Sequence, residues 1–362
     1  MRSVASLTML NREELMGMSF VQKQMWERFE SKISNFFVLV FCLDIFKKYT
    51  RHMLLKFIRN GYDRIEFRAF LAKLSEYDAE GNLVKEHDEK VFMEAFDEVY
   101  EEVRKEHPEF TAGFIFFGLK VFSAEQNEQL FTKICNLNWD KTIGLDFVQQ
   151  EDLFGSMTEY DPIIDRVLAR YPHLDYKKVY HAGETKDHLT HNLDVAVKAG
   201  SVRIGHGFNI LQRIEFLPHC RNICFEKNPL SNLVLGYNAD AREASAPILL
   251  GLGYAVTINP DDPGKFGVED STIDYFLAAI SYNWTLRHLK LIAYHSINHA
   301  ICNERTKTAL LKSFHKRWNE WAMKFVGNEK IDALHRWAEP DIYSGVRQWS
   351  WSEKESMALE KF

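Results

Sequence analysis

Cysteine is scarce in this chain. Cys42, Cys135, Cys220, Cys224 and Cys302 are scattered over 362 residues. An odd count leaves at least one thiol unpaired within the chain, and the spacing gives no disulfide framework. Cys220 and Cys224 stand close enough to suggest zinc, but no second cysteine pair accompanies them. Two buried thiols are the expectation. Long apolar runs are also missing. The longest, Phe36 to Leu43, falls well short of the about 18 residues a membrane span needs and reads as buried helix. The N-terminal MRSVASLTMLNREELMG lacks the apolar centre of a secretory signal. There is no basic surplus: the net charge is -6, which gives no footprint for nucleic acid. No linker or low-complexity segment divides the chain. Histidine is absent before His52.

What is present fills a large core, with 46% hydrophobic and 14% aromatic residues. Apolar residues recur at helical spacing from Phe20 to about Lys48, and Arg51 to Asn60 reads as a further helix ended by Gly61. Arg64–Phe70 alternates as a strand, residues 77–83 form a turn-rich loop, and Lys90–Glu106 is amphipathic. Further strands are expected at Gly113–Phe122, Ile143–Val148, Val179–His181, Val202–His206, Ile223–Glu226 and Ala255–Asn259. Helices are expected between most of them: Glu125–Leu137, Pro162–Arg170, His188–Ala199 and Arg242–Leu252. Alternation of this kind implies a parallel sheet. Seven strands are one fewer than the common closed βα barrel holds. From Asp270 the chain is helical: Thr272–Ser281, Leu286–Ala300 and Glu304–Phe325. The expected organisation is an irregular segment 1–19, a barrel domain 20–326 and an extension 327–362 containing Trp337, Trp349 and Trp351.

The chemistry-bearing residues gather where strands finish, as reactive residues of βα barrels do. Val179-Tyr180 leads into His181-Ala182-Gly183-Glu184, which offers a metal ligand with an acid beside it. Val202-Arg203-Ile204 leads into Gly205-His206-Gly207, where glycines let the backbone approach a ligand and the imidazole can orient or deprotonate water. Ala255–Asn259 leads into Asp261-Asp262-Pro263, with one carboxylate for a metal and one for an attacking water. His295 and His299 share a helix at i and i+4, but no Glu follows His295 as HExxH requires, so packing or solvent contact is expected for this pair.

His-Ala-Gly-Glu, Arg-Ile-Gly-His-Gly, Asn-Pro-Leu-Ser-Asn and Asp-Asp-Pro, in that order, resemble the adenosine deaminase family. Trp26–Glu30, Ile65–Arg68, His107–Phe110, the run from Arg203 to Phe208, and Lys316–Trp318 resemble its adenosine deaminase-related growth factor branch, the usually secreted one. The resemblance covers roughly residues 20–325. It implies a TIM-type (β/α)8 metallo-dependent hydrolase barrel that deaminates adenosine or 2'-deoxyadenosine to the inosine form and ammonia. It also implies one Zn2+ per chain, a small purine nucleoside as partner, an extracellular location and, as an allowed assembly, a homodimer. By resemblance His181 and Asp261 are zinc ligands, Glu184 protonates purine N1, and His206 and Asp262 hold and deprotonate the water. Gly183, Glu151 and Asp262 contact substrate, Glu151 at the ribose. The cytidine-deaminase HxE…PCxxC pattern is absent.

The chain departs from the family pattern in specific places. The family ends its first strand in a His-x-His pair that supplies two more zinc ligands, whereas His52 here lies in RHMLLKF, a helical sequence. The sequence is therefore expected to begin after the first βα unit and, with two ligands, to bind zinc weakly and leave two strand edges exposed. Gln149 stands where the family has a glycine whose backbone approaches the purine, and Asn228 replaces the usual Cys before Pro-x-Ser-Asn. Asn259-Pro260 precede the aspartates in place of small hydroxyl residues. A non-catalytic barrel with a binding or growth-factor-type role is the alternative reading.

Overall fold

The computed structural model describes residues 22–186 and 190–326. The expectations for 1–19 and for the tryptophan-bearing extension lie outside these residues.

All seven expected strands form. They are β1 (Arg64–Ala69), β4 (Thr111–Leu119), β5 (Thr142–Val148), β6 (Lys177–Ala182), β7 (Arg203–His206), β8 (Cys224–Lys227) and β9 (Ala255–Ile258). They pair in parallel in the order β1-β4-β5-β6-β7-β8-β9. The remaining pair, β2 (Ser75–Tyr77) and β3 (Leu83–Glu86), makes a small antiparallel hairpin around the expected turn. Helices alternate with the strands because connections between parallel neighbours must cross over: α3 (Lys90–Glu106), α4 (Ala124–Leu137), α5 (Met157–Leu168), α6 (Asn192–Lys198), α7 (Pro229–Val234) and α8 (Ala246–Gly251). Three more follow: α9 (Thr272–Ser281), α10 (Leu286–Asn298) and α11 (Glu304–Val326). Two precede β1: α1 (Gln22–Val40) and α2 (Leu43–Arg59).

Some boundaries differ from the expectation, each for a local reason. The first helix breaks at Phe41-Cys42, not near Lys48, because Ser75 of the hairpin donates its N–H to the Phe41 carbonyl at 2.9 Å. That partner is distant in sequence and invisible to periodicity. α5 starts five residues before Pro162, where the Ser156 side chain accepts from Thr158 N–H and caps the helix.

The sheet is an open, curled barrel wall. β1 and β9 each pair on one side only among the described residues. Their edges are nevertheless not exposed, which corrects the expectation. β1 is half-buried throughout and β9 mostly buried. The turn after α10 explains part of this, since Arg64 donates to the Ile301 carbonyl at 2.7 Å and Ile301 N–H donates to Glu66 at 2.8 Å. A cavity of about 1480 Å³ runs along the seam, bounded by β1, β9, α1, α2, α10 and α11.

The core divides in two. The larger part packs α3, α4 and α5 on the sheet through Phe96, Phe114, Phe131, Phe147, Ile163 and their neighbours. A smaller cluster docks α1 over the carboxyl ends of the strands: Met25, Trp26 and Phe29 meet Val234, Leu235, Tyr237 and Phe266. Trp26 Nε1–H donates to Tyr237 Oη at 2.8 Å, so α1 is held by a buried polar contact as well as by apolar area. All five cysteines are free thiols; Cys220 and Cys224 are buried, and burial pushes both up to about 12. His295 packs as expected, its Nδ1 3.1 Å from the Val256 carbonyl.

Candidate metal centre and active site

A parallel sheet delivers every strand end to the same rim, which is why residues from β6, β7 and β9 converge. β6 and β7 pair with Ala182 opposite His206, so His181 and His206 sit on adjacent strands with ring centroids 5.4 Å apart. Asp261 enters from the loop after β9. His181, His206 and Asp261 each place one ligand-type atom within 4.8 Å of the others. His206 Nε2 is 3.3 Å from Glu184 Oε1 and 3.6 Å from Asp261 Oδ2. These four residues and Asp262 all line the seam cavity.

The backbone is bent to make this possible. His206 and Asp261 have φ of +62° and +57°, unusual for residues with a side chain. Gly183 (φ +70°) and Gly207 (φ +50°) complete the two turns. A Cβ on Gly207 would come within 2.7 Å of the Phe225 ring. The buried Lys227 ammonium donates to the carbonyls of His206 and Gly207, the latter at 2.9 Å, and so pins the turn.

Electrostatics separates the roles of the acids. Burial first, then the carboxylates of Asp261 and Glu151, hold Glu184 well above the ordinary carboxyl range. Burial and the adjacent Asp261 raise Asp262 to about 7. Burial lowers His206 to about 4, which leaves a neutral imidazole. Asp146 goes the other way. Although burial opposes it, the His181 ring and the Arg68 guanidinium bring Asp146 down to about 2. A carboxyl whose proton affinity is raised, beside an imidazole whose proton affinity is lowered, is the pattern of acid–base chemistry.

The supporting residues were not singled out in the sequence. Asp146 Oδ2 accepts from His181 Nδ1 at 2.7 Å, and its Oδ1 accepts from His181 N–H at 2.9 Å. This fixes the ring with Nε2 turned to the site. Arg68 bridges Asp146 at 2.7 Å and Glu226 at 2.8 Å. Arg203 bridges Glu226 at 2.7 Å and Glu66 at 2.5 Å, and Arg64 closes on Glu66 at 2.9 Å. The barrel interior thus carries a ladder of alternating charge from Arg64 to His181. A signal existed: Asp146 is a charge inside the apolar run Ile143–Val148, and Glu66 and Arg68 share one face of β1.

Two expected substrate-binding residues sit behind the cavity wall. Glu151 is buried; burial raises its carboxyl, and the Lys120 ammonium acts against the shift. Gly183 is also buried. Gln149 has φ +102°, a backbone region suited to glycine, and its Oε1 accepts from Val121 N–H at 2.8 Å. His52 lies on α2, at the cavity but on no strand. Asn228 Nδ2 is 3.2 Å from His206 Nε2 and 3.4 Å from its Nδ1, and Asn232 Oδ1 is 3.4 Å from Nδ1.

An open parallel barrel wall with histidines and carboxylates at its carboxyl rim defines a hydrolase barrel of the metal-dependent class. The family model for adenosine deaminase matches residues 12–317, and the chain belongs to that family. It is 28% identical over 312 residues to adenosine deaminase 2-A of Danio rerio, covering 83% of this chain and 61% of that protein. The similarity to adenosine deaminase 2 places it in the growth factor branch. The chain thus spans about three-fifths of that relative's length. Among solved structures it resembles the Arabidopsis N6-mAMP deaminase (TM-score 0.66, 16% identity, 82% of this chain and 84% of that one). It also resembles an amidohydrolase from Burkholderia ambifaria with bound Zn (TM-score 0.63, 16% identity, 79% and 76%). At these identities the structures bear on the fold alone.

Proposed function

We propose that the chain hydrolytically deaminates adenosine or 2'-deoxyadenosine, adding water at C6 of the purine and releasing ammonia. The observation that carries this reading is the placing of Glu184: a buried carboxyl 3.3 Å from the His206 imidazole and beside an aspartate pair, with burial raising its hold on a proton. A protonated acid can donate to N1 of the purine, which makes C6 more electrophilic. Asp262, raised to about 7, is placed to take a proton from the incoming water near neutral pH and to return it to the departing amine. His206, by the family resemblance, orients that water. His181 and Asp261 would hold zinc, and the Asp146–His181 hydrogen bond is the support a metal-bound imidazole needs. Zinc, when bound, acidifies water at neutral pH.

The family match and the grouping of His181, His206 and Asp261 support a metal cofactor. Among the described residues no helix is long and apolar enough to cross a membrane. Resemblance to the usually secreted branch supports an extracellular site of action, and a homodimer is the assembly to test. The deciding experiment incubates the purified, zinc-supplied chain with adenosine and follows inosine and ammonia. Stoichiometric release of both, abolished in Glu184→Gln, is expected. No inosine from a folded, zinc-loaded chain sinks the reading. A second reading, a non-catalytic binding barrel, is favoured by Gln149, whose strained backbone and side chain occupy the loop where the family has glycine.

A further inference from the structure

We propose that residues 329–339, which follow α11, dock through an apolar stripe on the outer face of α9. The amphipathicity of α9 is inverted. A surface helix normally turns its apolar stripe to the core. Here Asp274 and Ala278 are buried, whereas Phe276 is 59% and Ile280 60% exposed, with Ile273 exposed as well. Ile273, Phe276 and Ile280 stand at i, i+3 and i+7, which lines them up on one face. Leu286, at the start of α10, and Met323, near the end of α11, are also exposed. Single exposed apolar residues are ordinary, but a contiguous patch of large ones marks a contact surface.

The fold brings the end of α11 to this face. The turn at residues 60–63 touches both helices. Asn60 donates to Asp270, just ahead of α9, at 2.6 Å. Arg317 of α11 donates to the Gly61 carbonyl at 2.6 Å, and Ser313 of α11 donates to Asp63 at 2.8 Å. α11 has 23 residues and α10 has 13, so at 1.5 Å per residue α11 runs about 15 Å further. Lys290, in the second turn of α10, lies 5.4 Å from the Trp318 ring. The last two turns of α11 therefore pass the start of α10, beside the end of α9. The sequence that continues from Val326 carries a matching stripe. Gly327 and Asn328 are turn-forming residues. Ile331, Leu334 and Ala338 then recur at i, i+3 and i+7, with Trp337 beside them, charged residues between, and Pro340 closing the run. A segment tethered this close has a high effective concentration, so it takes the stripe ahead of a second copy of the chain. α9 sets the Asp274 carboxylate on Leu230 N–H of α7 at 2.9 Å, and α7 places Asn232 beside His206. The docked segment thus backs the helix that backs the site. The inference stands whether or not the chain deaminates adenosine.

The test uses the full 362-residue chain. Benzoylphenylalanine replaces Phe276 and is photo-activated in dilute solution. A cross-link within one chain, mapped by mass spectrometry to residues 329–339, is expected. A cross-link to a second chain, to any other segment, or none at all overturns the docking. Trypsin gives an independent measurement, because Lys330 and Arg336 are cleavage sites inside the segment. Cleavage of a docked segment follows the fraction of time it is released, so Ile280→Asp and Leu334→Asp should each speed cutting at these two sites by about tenfold or more. Ile248→Asp, at an exposed position on α8, should leave the rate unchanged. Circular dichroism checks that each variant folds. Cutting as fast in the unmutated chain as in Ile280→Asp and Leu334→Asp, or equal acceleration by Ile248→Asp, overturns the docking.

Discussion

The two sides of the barrel wall differ in kind. On the β6–β9 side, strand ends carry His181, Glu184, His206, Asp261 and Asp262 into one cluster, and Lys227 holds the turn at His206 and Gly207. On the β1 side the wall stops at a strand edge, and α1, α2, α10 and α11 border the seam. The two sides are joined through the interior by charge: Arg68 and Glu66 on β1 reach Asp146, Glu226 and Arg203 on β5, β8 and β7. Chemistry can therefore be preorganised on one side while the other is open, provided the ladder holds the edge strand in register.

The largest expected effect breaks the chemical side alone. Glu184→Gln keeps the shape but cannot cycle a proton, and general acid–base groups are worth about 10²–10⁴-fold. Turnover should fall by that factor with zinc content unchanged. Full activity in the mutant would remove Glu184 from the mechanism.

Cutting the ladder comes next. Arg203→Met leaves Glu66 without its Arg203 bridge and weakens the hold on Glu226, both in the protein interior. Breaking a buried ion pair by removing one partner costs about 3–5 kcal/mol. Denaturant unfolding should show a loss of that order. A loss below about 0.5 kcal/mol, the ordinary range for surface changes, would show that the ladder does not hold the two sides together.

Beneath the site, Asp274 of α9 accepts from Leu230 N–H at 2.9 Å, and burial raises it to about 7. A carboxyl raised in the folded state binds its proton more tightly there than when unfolded. Its contribution is full below about pH 4 and is lost as pH rises through 7. Asp274→Asn should therefore gain on the unmutated chain between pH 4 and 7, by a few kcal/mol at most. A pH-independent difference between the two melts would contradict the raised carboxyl.

The smallest effect sharpens the comparison at the loop after β5. Gln149→Gly removes a side chain from a φ of +102° and should relieve about 1 kcal/mol of strain. In an active protein it should lower KM for adenosine, because the backbone can then approach the purine. An unchanged or raised KM would mean that the loop is arranged differently around substrate.

The sequence by itself determined the seven parallel strands and the motifs at their ends. Strand periodicity is local, and in a parallel sheet the C-terminal end of every strand faces one rim, so His181, His206 and the Asp261-Asp262 pair could be put together before any coordinates. The family resemblance also marked Gln149 as standing where a glycine is usual, and the structure then gave it a φ of +102°. The tertiary structure alone decided which groups support that site. Asp146 meets His181 across 35 positions, Arg203 meets Glu66 across 137, and Arg64 meets Ile301 across 237. Whether the β1 edge is covered depends on such pairings. They are set by how the sheet curls and where the last helices pack, and no window of sequence contains both partners.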